Sequence, residues 1–127
     1  MMLDTFGLQL PGAHSMNEDL SRSAFIILLS LSDRPRHGLG IVEEVEERTS
    51  GAVKLGPGTL YGTLKRLLQL GYVRETDAVP DPQDDDPRRR YYQVTAEGRG
   101  ALAEEAARMR ALVEIAGIKR VLHENGK

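Results

Sequence analysis

The chain has 127 residues, 40% hydrophobic and 28% charged, and its 13 Gly and 6 Pro together stay below the share that marks low-complexity chains, so one folded domain around a single core is expected. It has 0 Cys, which excludes disulfides, thiolate zinc sites and a cysteine nucleophile. Lys and Arg (17) against Asp and Glu (19) leave a net charge of −2, so overall charge singles out neither a polyanion binder nor an acidic tail, and the distribution of charge has to discriminate.

Residues 1–16 hold Gly7, Pro11 and Gly12 without a sustained period and read as a flexible or loosely docked arm. No Lys or Arg precedes Arg22, so the basic start of a secretory signal is missing and a cytoplasmic protein is expected. From Asn17, a candidate N-cap, a helix presents Phe25, Ile26, Leu28, Leu29 and Leu31 before Asp33, Arg34 and Pro35 stop it. Its apolar run from Ala24 to Leu29 is far shorter than the ~20 residues of a membrane span, which makes it a core helix. A second helix starts near His37 and Gly38, with Ile41, Val42 and Val45 on one side, Glu43, Glu44, Glu46 and Glu47 on the other, and Ser50 and Gly51 closing it.

After Ala52, Val53 and Leu55, Pro57 sits in the first turn of a third helix running to about Leu70. Leu60, Leu64, Leu67 and Leu68 form its buried stripe, Gly71 its C-terminal cap, and Thr59, Gly62, Thr63, Lys65, Arg66 and Gln69 its opposite face. Residues 72–79 and 90–95, rich in Tyr, Val and Thr, read as a β-hairpin with a long tip carrying Asp84, Asp85, Asp86 and Pro87. Thr95, Ala96, Glu97 and Gly98 open a last helix whose Leu102, Ala106, Met109, Val113 and Ala116 recur at three- and four-residue steps, a stripe that needs a partner. Gly117 is expected to bend or loosen it, while Ile115, Ile118, Val121 and Leu122 continue an apolar set toward Gly126. No internal repeat is present. The fold class that follows is mainly α with a small β-hairpin: a winged helix-turn-helix over residues 17–95 and a C-terminal dimerisation helix over residues 96–127.

The charge distribution points to nucleic acid. Between Glu47 and Glu75 there is no acidic residue, while Arg48, Lys54, Lys65, Arg66 and Arg74 lie inside that window, and a helix approaching phosphates is repelled by any carboxylate on its face. Gly62 thins the exposed face of the third helix, Thr59 and Thr63 supply donors, and Lys65 and Arg66 are long enough to reach phosphates or, for Arg66, a guanine edge. A merely solvated helix face is the alternative, and the acid-free window together with the hairpin favours DNA over it. Arg88, Arg89 and Arg90 at the base of the wing suit a minor groove or its phosphates, the alternative being that they pair with the neighbouring aspartates. Those aspartates lack the alternating spacing of a calcium loop, and His14, His37 and His123 are too scattered to form a ligand set, so no metal and no cofactor are expected. His37 reads as a helix-start or core-facing histidine. No catalytic constellation is legible, and Gly56, Gly58 and Gly62 are not followed by the Lys-Ser or Lys-Thr of a phosphate loop, so the chain is not read as an enzyme.

Over about residues 25–112 the sequence resembles the PadR family of bacterial transcriptional regulators. The motifs are Ile27-Leu28-Leu29-Ser30-Leu31 before Pro35-Arg36-His37-Gly38, then Gly56-Pro57-Gly58-Thr59-Leu60-Tyr61-Gly62-Thr63-Leu64-Lys65-Arg66-Leu67, Gly71-Tyr72-Val73, and Arg89-Arg90-Tyr91-Tyr92-Gln93-Val94-Thr95-Ala96-Glu97-Gly98. The resemblance implies a homodimeric winged helix-turn-helix, usually a repressor of nearby genes, in the shorter branch with a single terminal helix. It implies DNA contacts at Thr59, Tyr61 and Lys65 and a wing contact from Arg88 to Arg90, which Lys54, Pro57, Gly62, Thr63 and Arg66 extend into the full candidate set. Tyr61 has a second reading, its ring packed beside Leu60 and Leu64 with only the hydroxyl wet. The terminal helix would dimerise through Leu102, Ala106, Met109, Val113 and Ala116, joined by Phe25. Some members of the family bind planar aromatic effectors stacked on Trp; this chain has 0 Trp, so its effector site stays unassigned, with Met16, Met109 and Phe25 as candidate lining. The rival reading is a winged helix used as a protein-interaction module without specific DNA binding.

Overall fold

The structure, a computed structural model, describes residues 20–77 and 89–122. The arm at 1–16, Asn17, the wing tip with Arg88, and His14, His123 and Gly126 lie outside the described residues. In chain order the elements are α1 (Arg22–Ser30), β1 (Arg36–His37), α2 (Gly38–Arg48), α3 (Pro57–Leu70), β2 (Val73–Thr76), β3 (Tyr91–Val94) and α4 (Ala96–Ile118).

The cap of α1 is Ser21, whose hydroxyl accepts from the Ala24 amide at 3.1 Å, so the helix starts later than a cap at Asn17 would place it. α1 is the hub: it packs against α2, α3 and α4. Its Ile27, Leu28 and Leu31, with Ile41 of α2 and Leu64 and Leu67 of α3, are the largest side chains shut off from water. Between α1 and α2 the chain buries one cation. Arg36 is 9% exposed, donates through Nε to the Ser30 carbonyl at 2.8 Å and faces Asp33 (3.1 Å) and Glu44 (3.4 Å), so its charge is both paired and hydrogen-bonded. Glu44 also holds Arg48 at 2.9 Å.

His37 caps α2 through Nδ1, which accepts the Gly40 amide at 3.1 Å. The third helix and its leucine stripe stand where the periodicity puts them: Pro57 is in the first turn, and Leu60, Leu64 and Leu67 are buried. Gly71 closes the helix at φ 78° in a Schellman arrangement, the Tyr72 amide donating to Leu67 and the Gly71 amide to Leu68.

The hairpin strands are β2 and β3, paired antiparallel from Val73 opposite Val94 to Thr76 opposite Tyr91. A third strand joins them. β1 pairs with the other side of β3, Arg36 opposite Tyr92 and His37 opposite Tyr91, giving the order β1-β3-β2. Two residues are too short to show alternation, which is why β1 is invisible as a periodic signal. Thr95 then ties sheet to helix: its hydroxyl donates to the Gly71 carbonyl at 2.6 Å and accepts the Gly98 amide at 3.0 Å. Gly98 lies so close to the Tyr72 carbonyl and Val94 that a Cβ there would overlap both.

α4 runs 23 residues, about 35 Å at 1.5 Å per residue. The helix continues through Gly117 and ends in a Schellman arrangement centred on Arg120, at φ 60°, with Val121 donating to Ala116 and Arg120 to Gly117. Val121 and Leu122 therefore lie beyond the helix rather than on its stripe. Within α4 only Gly98 and Leu102 are buried, and the large apolar side chains from Leu112 onward are exposed, Leu112 at 66% and Ile118 at 80%.

Candidate nucleic-acid interface

The exposed surface of α3 is set by its leucines. At 100° per residue Leu60, Leu64 and Leu67 centre on one side, and Gly62 falls almost diametrically opposite. A Cβ at Gly62 would touch nothing within 4 Å, so no internal packing demands glycine there. Thr59 and Arg66 flank it on one side and Tyr61 and Lys65 on the other, all exposed, while Thr63 is half-buried. Pro57 and Lys54 are exposed at the start of the helix and in the link before it. This is a convex surface, thin in the middle and edged by cations and hydroxyls, with no acidic side chain anywhere on α3.

The acid-free window in the sequence is not one face in space. Arg48 pairs with Glu44 at the far end of α2 and stands apart from the α3 set. In the wing, Arg90 pairs with Glu75 across the β2–β3 ladder at 3.1 Å, whereas Arg89 places Nη1 3.4 Å from Nε2 of His37. A cavity of about 260 Å³ opens at this junction, with His37, Gly38, Tyr61, Arg89 and Tyr92 in its lining. The Tyr61 hydroxyl rests against Gly38, where any Cβ would displace it. Tyr61 is 53% exposed, its ring turned toward the start of α2 rather than laid along the core leucines. Burial, followed by the Glu75 carboxylate, pushes the Tyr92 phenol above its ordinary pKa, so it stays neutral beside the arginines.

Of the side chains assigned to a dimer interface, Leu102 is taken into the chain's own core and Phe25 packs half-buried against it. Ala106 and Val113 are exposed, and Met109 and Ala116 are half-covered. Leu112 and Ile115, absent from that set, add to the uncovered apolar surface, because α4 outruns the core and exposes more than one stripe. Met109 and Phe25, the described candidates for an effector lining, sit on α4 and α1. A second cavity, about 340 Å³, lies between α1 and α2 beside Leu29 and Arg48. Among the described residues no helix is long and apolar enough to cross a membrane.

Residues 27–104 match the model of the transcriptional regulator PadR-like family. The chain is 36% identical to the transcriptional regulator Rv3488 of Mycobacterium tuberculosis over 71% of its length and 75% of that protein's. It is 38% identical to an uncharacterized 37.1 kDa protein in transposon TN4556 of Streptomyces fradiae, over 68% of this chain and 23% of that one, so it spans under a quarter of that relative. A PadR family transcription regulator from Clostridium difficile superposes with a TM-score of 0.64 at 25% identity, covering 76% of this chain and 96% of that one.

Proposed function

Because this chain belongs to the PadR-like family of transcriptional regulators, we propose that it represses transcription by binding double-stranded DNA as a homodimer, in the cytoplasm. The observation that carries the reading is the surface of α3, with Gly62 at its crest and Thr59, Thr63, Lys65 and Arg66 around it. A helix seated in a major groove needs a thin crest, so that its backbone comes close to base edges, and cations at its flanks for the phosphates. Thr59, Tyr61, Thr63 and Arg66 face the groove; Lys54, Pro57 and Lys65 meet the backbone beside it. The wing, through Arg88, Arg89 and Arg90, follows the adjacent strand.

Residues 17–95 do the reading and residues 96–127 the pairing, with the first turns of α4 shared because Leu102 belongs to the core. Two copies joined along Met109, Val113 and Ala116 present two α3 helices to a pseudo-palindromic operator, with half-sites one helical turn, about 34–36 Å, or a multiple of it apart. Any effector acts by changing that spacing.

The test is titration against duplex DNA from the region upstream of its own gene and against a scrambled duplex, at two salt concentrations. Selective binding that weakens steeply with salt supports the reading. Replacing both Lys65 and Arg66 by Glu leaves the fold intact, since both are exposed, and abolishes duplex binding. Equal, salt-insensitive behaviour of both duplexes, or unchanged affinity in that variant, overturns it in favour of a protein-interaction module.

A further inference from the structure

The end of α4 and the cleft between α1 and α2 are two bare apolar surfaces whose surrounding charges complement each other. Leu112, Ile115 and Ile118 are exposed, and beyond them the chain turns at Arg120, where a φ of 60° is costly for a residue with a side chain. That turn carries Val121 and Leu122 off the helix, both exposed. The cleft, about 340 Å³, is lined by Ile26, Leu29 and Val45, with Leu29 half-exposed and the half-exposed carboxylate of Asp33 beside it.

Charge divides the last helix in two. Its first half carries Glu97, Glu104 and Glu105 against Arg99, whereas from Arg108 to Arg120 the chain carries Arg108, Arg110, Lys119 and Arg120 against Glu114. Among the described residues neither Lys119 nor Arg120 has an ion-pair partner in its own chain. Two such helices laid parallel bring like charges together at both ends, while an antiparallel pair sets each basic end beside an acidic beginning. Antiparallel pairing along Met109 and Val113 is centred on Ala111, so Ile118 comes opposite Glu104 of the second copy and Leu122 opposite its Gly100. That is where α4 adjoins the cleft: Arg99 donates through Nη1 to the Ser32 carbonyl at 3.0 Å, and Ser32 lines the cleft.

We propose that the occupant of this cleft is a second copy of the chain. Residues 118–122 of each copy seat between α1 and α2 of the other, with Ile118 and Leu122 on Ile26, Leu29 and Val45, and Lys119 and Arg120 against Asp33 and Glu104. This deepens the homodimer reading and rests on it. Each reading unit is then held to both α4 helices rather than to one, which fixes the distance between the two α3 helices on the operator.

The chain has 0 Cys, so single cysteines report the geometry. Full-length chains carrying Leu29→Cys are co-expressed with chains carrying Leu122→Cys and treated with a short bismaleimide; both positions are exposed, so both variants stay folded. The expected product is a cross-linked dimer with one chain of each kind. Leu122→Cys alone gives no cross-link, because antiparallel ends lie about 30 Å apart at 1.5 Å per residue. Cross-linking of Leu122→Cys to itself, or a mixture that sediments as a dimer without the mixed product, overturns the proposal and leaves the homodimer reading standing. A chain that sediments as a monomer at every concentration overturns both. Lys119→Glu combined with Arg120→Glu weakens the dimer about ten-fold in sedimentation on dilution, since each dimer contains the contact twice, and adding Glu104→Lys recovers part of that loss. A parent-like dimer in the doubly reversed variant also overturns the proposal.

Discussion

Gly62 and Asp33 show how single residues carry opposite kinds of information. Glycine in an exposed helix interior costs about 1 kcal/mol relative to alanine, and at Gly62 nothing inside the chain repays that cost. Gly62→Ala is therefore expected to raise stability by about 1 kcal/mol in denaturant melts while weakening duplex binding, because the added methyl lifts the crest of α3 off the groove floor. A gain in stability with unaltered affinity would mean that the crest does not approach DNA. Asp33 belongs to the fold instead. Slight burial raises its pKa, but the adjacent Arg36 charge and hydrogen bonds outweigh that and hold the carboxyl below its ordinary value. A carboxyl depressed in the folded state contributes stability that is fully present above its unfolded pKa and is lost as pH falls through the folded one. Asp33→Asn should accordingly lower stability modestly at neutral pH, where the ionised carboxyl contributes fully, and approach the parent below about pH 4, so that the acid limb of a stability-against-pH curve is flatter.

At the scale of elements, two glycines on α4 make a controlled pair. Gly98 is pressed against the Tyr72 carbonyl and Val94, whereas a Cβ at Gly100 meets nothing. Gly98→Ala should destabilise by about 1–3 kcal/mol by forcing α4 off the sheet, and Gly100→Ala should stabilise by up to about 1 kcal/mol through helix propensity alone. Equal effects in thermal melts would show that α4 does not dock through Gly98. Which strands and caps are legible in the sequence depends on how local their signals are. Pro57, the leucine stripe and Gly71 delimit α3 from local chemistry, and the Tyr and Val of 91–94 mark β3. β1 has only two residues and exists because β3 offers it an edge. Ser21 and Asn17 are both good caps, and local sequence does not rank them.

For the whole molecule, the decisive feature is that α4 is longer than the core it rests on. Leu102 is buried and the large apolar side chains from Leu112 to Leu122 are uncovered, an expanse that suits a second copy of the chain in the proposed dimer. Placing Asp at both Met109 and Val113 should leave the monomer folded, since neither belongs to the core, and shift sedimentation to the monomer mass. A dimer that survives both substitutions locates its interface elsewhere. Duplex affinity should fall with the dimer, because each half then binds without the second half-site.

The order of helices and hairpin, the leucine side of α3 and the absence of acids on its opposite side follow from the sequence by itself, because each is a matter of period, propensity or composition over neighbouring residues. Tertiary structure alone decided that Arg36 is a buried cation facing Glu44 of α2, that Leu102 belongs inside, and that His37 and Arg89, 52 residues apart, meet at the wing root. Those relations depend on which elements touch, and a side chain's partner across the fold leaves no trace in the residues beside it.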